Sequence, residues 1–289
     1  MELQILVCDW INKGGDNMDI KKFLHNKMAV IGGIITIIMV LSAIFAPMLT
    51  SYGPLDMVIS DRLKAPSAAH IFGTDTFGRD LFSRVLYGAR VSIGVGFSVS
   101  ILTMILGMTV GLYASYYKWL DNLLMRVCEG LKAIPATLLA IALMAMLGAS
   151  TKNVIISLVI VSIPDIARIS RSSALLTKEQ TYIEAMYALG AKPNRIIWKN
   201  IMPNVISPVI VQTTYIFASA IIVEAALSFL GVGVPAPEPS WGNILSEGKT
   251  VIYNSWWMIV FPGIYMALTV LGLNMFGDGV RDLMDPTSH

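Results

Sequence analysis

An acid interrupts one of the most apolar stretches of the chain: Glu224 sits within Ile221-Ile222-Val223-Glu224-Ala225-Ala226. An ionisable group inside hydrocarbon is costly unless it faces protein or water, which makes Glu224 a candidate for contact with a polar or charged solute. Few other residues are spaced for chemistry. His25, His70 and His289 lie far apart and form no metal-binding pair, and His70 reads as a solvated loop residue. Cys8 and Cys128, the second at the start of a predicted helix, imply no disulfide framework. No Ser/His or metal-ligand pattern points to an enzyme. Gly248-Lys249-Thr250 reads like the end of a phosphate-binding loop, but five residues rather than four separate Gly242 from Gly248, and no strand precedes it. No catalytic centre, cofactor, metal or nucleotide site is expected in the chain itself.

The elements that must hold Glu224 are membrane helices. Hydrophobic residues make up 55% of the 289 positions and charged residues 14%, a balance that excludes a soluble globular domain. Apolar runs of about twenty residues, enough to cross ~30 Å of hydrocarbon, recur along the chain. Six spans are predicted at 28–49, 90–114, 123–148, 153–167, 205–232 and 256–277. The first begins too late and runs too long for a cleaved signal, so it is read as retained. Placing the termini inside puts fourteen Lys/Arg on the cytoplasmic side and seven on the other, the asymmetry expected of cytoplasmic loops. The net charge of +2 gives no reason to expect a nucleic-acid partner; lipid is the expected surroundings.

Between the fourth and fifth spans lies a charged insert, Arg168 to Pro203, with six Lys/Arg. It cannot sit in hydrocarbon and must project from the cytoplasmic face. Thr181 to Leu189 favours a helix, Gly190 suits its left-handed C-terminal residue, and Pro193 suits the first turn of a second helix that is predicted to stop at Pro203. Ile197, Trp198, Ile201 and Met202 give that helix a narrow apolar face, suited to a groove on a partner protein or to a lipid surface. On the opposite side, Asp80 to Tyr87 is predicted to be an amphipathic helix lying along the interface, within a long outer segment, 50–89. Trp241, in a second outer segment at 233–255, and Trp256-Trp257 at its boundary, read as interfacial anchors.

Glu184-Ala185, Gly190 six residues after the glutamate and Pro203 thirteen after the glycine resemble the "EAA" loop of permease subunits of bacterial and archaeal ABC importers. Met186, Asn200 and Met202 stand where that pattern has Ala, Ile and Leu. His70 to Ser92, Leu227 to Gly233, Pro237 to Gly242 and Gly277 to Pro286 are similar to the dipeptide/oligopeptide/nickel branch of the family, in its "C"-type subunit. The resemblance covers residue 28 to the end. It implies an all-α integral membrane protein of the type I importer permease fold: a cytoplasmic tail at 1–27, a first helix at 28–49, and a five-helix core at 90–277 with the coupling loop at 168–204.

The resemblance further implies that Glu184, Ala185, Gly190, Ala191, Pro193, Trp198, Asn200 and Pro203 couple this chain to an ATPase. It also implies a second permease subunit, two ATPase subunits that bind ATP and magnesium, and an extracytoplasmic substrate-binding protein. Asp75, Gly78, Arg79, Asp80, Arg84 and Trp241 would receive that protein or shape the outer gate. Glu224 then lines the pathway, pairs with the second permease, or accepts hydrogen bonds from a broken helix. Glu129 and Lys132, three residues apart, read as an ion pair. Asp278, Arg281 and Asp282 secure the C-terminal helix end or touch the ATPase. The expected cargo is di- or oligopeptide, with nickel or a metal chelate as the alternative. A self-sufficient ion-coupled carrier is the reading from another class.

Overall fold

The computed structural model describes residues 26–284. Most of the expected tail, with Cys8 and His25, lies outside the described residues, as do Asp285, Pro286 and His289. Among the described residues the regular structure is helical, apart from one isolated bridge between Thr74 and Asp80. Five helices are long and apolar enough to cross a membrane, and a sharply bent pair makes a sixth if counted as one span.

The first helix, α1 (Lys27–Ile44), starts at Asn26, whose side chain accepts from the Met28 and Ala29 amides at 3.0 and 3.2 Å. Phe45 separates it from the four-residue α2 (Ala46–Leu49). The next element, α3 (Leu81–Tyr116), is one helix of 36 residues, and it corrects two expectations. Asp80 caps it, accepting from the Ser83 amide at 2.8 Å, and the chain then runs without a break into the predicted second span. Leu81, Val85, Leu86 and Ala89 are buried in protein, so 80–87 is no interfacial helix. Its polar residues find partners inside the fold, as described below.

The predicted third span is two helices, α4 (Lys118–Lys132) and α5 (Ala136–Leu147), bent by 95° between them. Pro135 explains the break: it lacks an N–H and disfavours helical geometry in the residue before it. Cys128 is buried in the last turns of α4, not at a helix start. The fourth span is longer than predicted. α6 (Thr151–Lys178), capped by the Ser150 hydroxyl, passes through Pro164 and Asp165 and takes in Arg168 to Lys178, the first part of the predicted insert. Asp165, Arg168 and Arg171 recur every three residues and occupy one side, while Ile166, Ala167 and Ala174 on the other sides are buried. α3 and α6 approach so closely that a Cβ at Gly111 would lie 2.5 Å from the Ala167 carbonyl oxygen.

Beyond α6 come α7 (Thr181–Ala188) and the three-residue α8 (Pro193–Arg195). A π-helical stretch, Ile196–Ile201, then feeds directly into α9 (Met202–Phe229). The second insert helix does not stop at Pro203. That proline lies in the first turn of α9, where the missing N–H is tolerated, and the wider π register carries the chain into the span. The chain ends with α10 (Trp241–Lys249) and α11 (Trp257–Met284), the latter packed along α1.

One apolar core joins α3, α6 and α9 and includes Leu112, Ile166, Val205 and Val209; a second, around Leu81, Val85, Ile221, Trp241 and Met258, fills the opposite end.

Candidate functional site

The insert closes its first helix with two hydrogen bonds. Ala191 N–H donates to the Met186 carbonyl at 3.1 Å and Gly190 N–H to that of Tyr187 at 3.0 Å, the paired bonds of a Schellman cap. Gly190 takes φ +73°, where a side chain would be strained. Pro193 follows at the first turn of α8. Ile183, Ile196, Ile197 and Ile201 are all buried, and they belong to the same core as Leu112 and Val205. The insert is therefore fastened to the membrane helices by its apolar side, which the sequence suggested was free for a partner.

What remains outside is its tip. Glu184, Ala185, Gly190, Pro193 and Asn194 are exposed, Ala191 is half-buried, and Leu189 is 81% exposed. Trp198 packs edge-on against Tyr113 of α3 and donates its indole N–H to the Tyr113 hydroxyl at 3.4 Å. The Asn200 carbonyl accepts from the Tyr182 hydroxyl at 3.2 Å and from the Asn204 amide at 2.9 Å, which ties α7 to the π-helical stretch. Tyr113, Tyr182 and Asn204 were not singled out from sequence; tyrosines and an asparagine beside a loop carry no distinctive spacing.

At the opposite end, buried Asp75, Arg79 and Arg84 form one cluster with the half-buried Glu247. Asp75 accepts from the Phe77 and Arg79 amides at 2.7 and 3.0 Å and from the Arg79 and Arg84 guanidiniums at 2.5 Å. Glu247 of α10 accepts from Arg79 at 2.7 Å and from both Arg84 Nη atoms at 2.9 and 3.0 Å. Arg84 is 1% exposed. Burial pushes the Asp75 and Glu247 carboxyls above the usual carboxylate range, with Arg84 pulling both back down. Gly78 turns the loop at φ +74° so tightly that a Cβ there would strike the Val58 carbonyl.

Asp80, besides capping α3, contacts His70 Nδ1 at 2.9 Å, and His70 Nε2 lies 3.4 Å from Asp61. His70 is thus buried between two carboxylates, which corrects its reading as a solvated residue. Trp241 is also fully buried, not an interfacial anchor. Its indole donates to the Val85 carbonyl at 3.1 Å, and it seats α10 on α3. Trp257 is buried too, while Trp256 is half exposed. Sequence inspection missed Glu247, whose only signal was being the one acid in α10. Gly248 and Lys249 end that helix, so the loop-like triplet is a helix terminus.

Glu224 is fully buried among this chain's own side chains. Ser92 of α3 donates to Oε2 at 2.8 Å and Ser228 to Oε1 at 2.7 Å, while the Trp241 amide donates to Ser92 at 3.3 Å. The acid thus joins α3, α9 and the segment leading to α10. Lys132 pairs with Asp165 of α6 at 2.7 Å, not with Glu129. Near the C-terminus Asp278 accepts from Tyr215 and Asp282 from Asn26 at 3.2 Å, which holds the end of α11 to α9 and α1.

Comparison with known proteins agrees with this arrangement. Residues 103–288 match the family described as "Binding-protein-dependent transport system inner membrane component", and residues 19–66 match the "N-terminal TM domain of oligopeptide transport permease C". The chain is 46% identical over 267 residues to the dipeptide transport system permease protein DppC of Alkalihalophilus pseudofirmus, covering 92% of this chain and 88% of that one. It is 38% identical over 266 residues to the oligopeptide transport system permease protein OppC of Bacillus subtilis, covering 92% and 87%. Among solved structures, an inward-facing MetNI methionine ABC transporter shares the fold, with a TM-score of 0.58 and 19% identity over 70% of this chain and 97% of that one. With its insert packed into the helical core and these matches along most of its length, the chain belongs to the inner-membrane permease components of binding-protein-dependent ABC importers.

Proposed function

We propose that this chain is the permease subunit of a peptide importer, forming half of a translocation pathway for di- or oligopeptides. The observation that carries the cargo is the identity to dipeptide and oligopeptide permeases over 92% of the chain. Nickel and an ion-coupled carrier find no comparable support. A second permease would complete the pathway, two ATPases would bind ATP and magnesium, and an extracytoplasmic binding protein would deliver the peptide. The excess of Lys/Arg on the insert side supports placing the insert and both termini in the cytoplasm of a bacterial or archaeal cell.

The exposed tip, with Glu184, Ala185, Gly190 and Pro193, would meet the ATPase; Trp198, Asn200 and Pro203 would transmit its movement into α3 and α9. Burial of Ile183, Ile196 and Ile197 supports this, because a tip fastened to the core moves the helices with it. The Asp75–Arg79–Arg84–Glu247 cluster and Trp241 would hold the outer segments in a gate. The test is affinity capture of the chain from mild-detergent membranes, followed by reconstitution and uptake assays with a labelled dipeptide and with nickel ions. Recovery of a second permease and ATPases, with ATP-dependent dipeptide uptake, is expected. Recovery of the chain alone, moving solute without ATP, would refute the reading.

A further inference from the structure

Charges on α4 and α6 line the insert end of the fold, from Asp121 and Arg171 to Lys132 and Asp165. Arg171 donates to Asp121 at 2.6 Å at the insert end. Lys132 and Asp165 pair at 2.7 Å midway along α6, at 29% and 34% side-chain exposure. The Arg171–Asp121 pair lines a cavity of about 440 Å³ whose other walls include Met125, Arg126, Glu129 and Arg168. Arg126, Glu129 and Arg168 are exposed and form no ion pair among the described residues.

Charges on helices that enter the membrane are not left facing lipid; they line water or bind a partner. The open volume between the two helices favours water. α4 breaks at Ala133–Pro135, on residues that are themselves exposed, and irregular backbone at membrane depth is tolerated only where protein or a water-filled cavity covers it. A broken helix beside unpaired charges is the arrangement that marks a solute site in other membrane transporters. The unpaired set is two guanidiniums and one carboxylate, which suits a solute carrying both a carboxylate and an ammonium group. Bidentate guanidinium–carboxylate contact favours the carboxylate end. The volume also suits a short peptide, since small-ligand pockets run from roughly 300 to 1,000 Å³.

Resting on the peptide reading above, we infer that the α4–α6 groove is a water-filled substrate site on the insert side of the pathway, with Arg126 and Arg168 taking the peptide's C-terminal carboxylate and Glu129 its amino terminus. Glu224, sealed by Ser92 and Ser228, has no place in it.

The test uses the whole importer in nanodiscs, with Cys8→Ser, Cys128→Ala and Met125→Cys in this chain. The introduced thiol should react readily with a charged methanethiosulfonate. Alanyl-phenylalanine at millimolar concentration should slow that reaction, and its C-terminal amide should slow it far less. Adding Arg126→Gln and Arg168→Gln should abolish the protection and lower dipeptide uptake about tenfold, the scale of a lost charge-assisted hydrogen bond. A thiol that does not react would overturn the proposal, because it would place lipid or a partner helix over the groove. Equal protection by peptide and amide, protection that survives both substitutions, or protection by added lipid alone would overturn it as well. Failure of the unmodified complex to take up dipeptide would instead refute the peptide reading.

Discussion

Trp198 of the insert donates its indole N–H to the hydroxyl of Tyr113, in the last turn of α3, at 3.4 Å. The bond is long, and the apolar packing beside it carries more of the attachment. Tyr113→Phe is therefore expected to cost well under about 1 kcal/mol, whereas Ile197→Ala, at a fully buried position, should cost about 2–5 kcal/mol. Thermal unfolding of the purified complex should rank the two variants in that order. The reverse ranking would mean that the polar contact, not the core, fastens the insert.

Glu184 is exposed, so Glu184→Lys should leave stability unchanged while abolishing uptake through a reversed charge at the proposed ATPase contact. Gly190→Pro should abolish uptake too, for a different reason: φ +73° is closed to proline, and the N–H that donates to Tyr187 is lost. Both variants should remain in the membrane at normal levels by immunoblot. Normal uptake by both would remove the coupling role from this loop. Gly190→Ala is the milder case, straining the cap by roughly 1–2 kcal/mol.

The sequence made the membrane helices and the helix–glycine–helix turn legible because hydrophobic run length and a left-handed glycine are local signals. It misplaced Asp80 to Tyr87 because an amphipathic pattern looks the same whether its polar side meets water or buried partners. Here Arg84 meets Asp75 nine residues before it and Glu247 at a separation of 163. The same blindness hid the burial of His70 and Trp241, whose partners lie on other segments. Pro203 was read as a stop because proline usually ends a helix, but the π-helical turn before it converts a stop into a start. Lys132 was given a partner at helical spacing and found one across helices.

Arg84 neutralises two carboxylates that burial disfavours, so Arg84→Met should destabilise the protein by about 3–5 kcal/mol at neutral pH. The effect should depend on pH. Without the guanidinium, the Asp75 and Glu247 carboxyls rise further above their unfolded values, and such groups favour the fold when protonated. Stability in Arg84→Met should therefore be greatest in mild acid and fall as pH rises through the folded-state values. Unfolding temperatures measured from mildly acidic to mildly alkaline buffer would show this slope in the variant. A variant that weakens on acidification would mean that the two carboxylates stay ionised through other donors.

The Lys132–Asp165 pair sits midway along α6 and fixes α4 against it just before the break at Ala133–Pro135. Removing either member leaves the other charge without its counterpart on the facing helix. Lys132→Ala and Asp165→Ala should each cost about 1–2 kcal/mol, a figure reduced from the fully buried case because both side chains are about a third exposed. Lys132→Ala with Asp165→Ala together should cost less than the sum, because no charge is then stranded. Unfolding measurements on the two single variants and the double variant, in the assembled complex, give the coupling directly. Strict additivity would show that the two charges are each solvated independently and that the pair does not position α4.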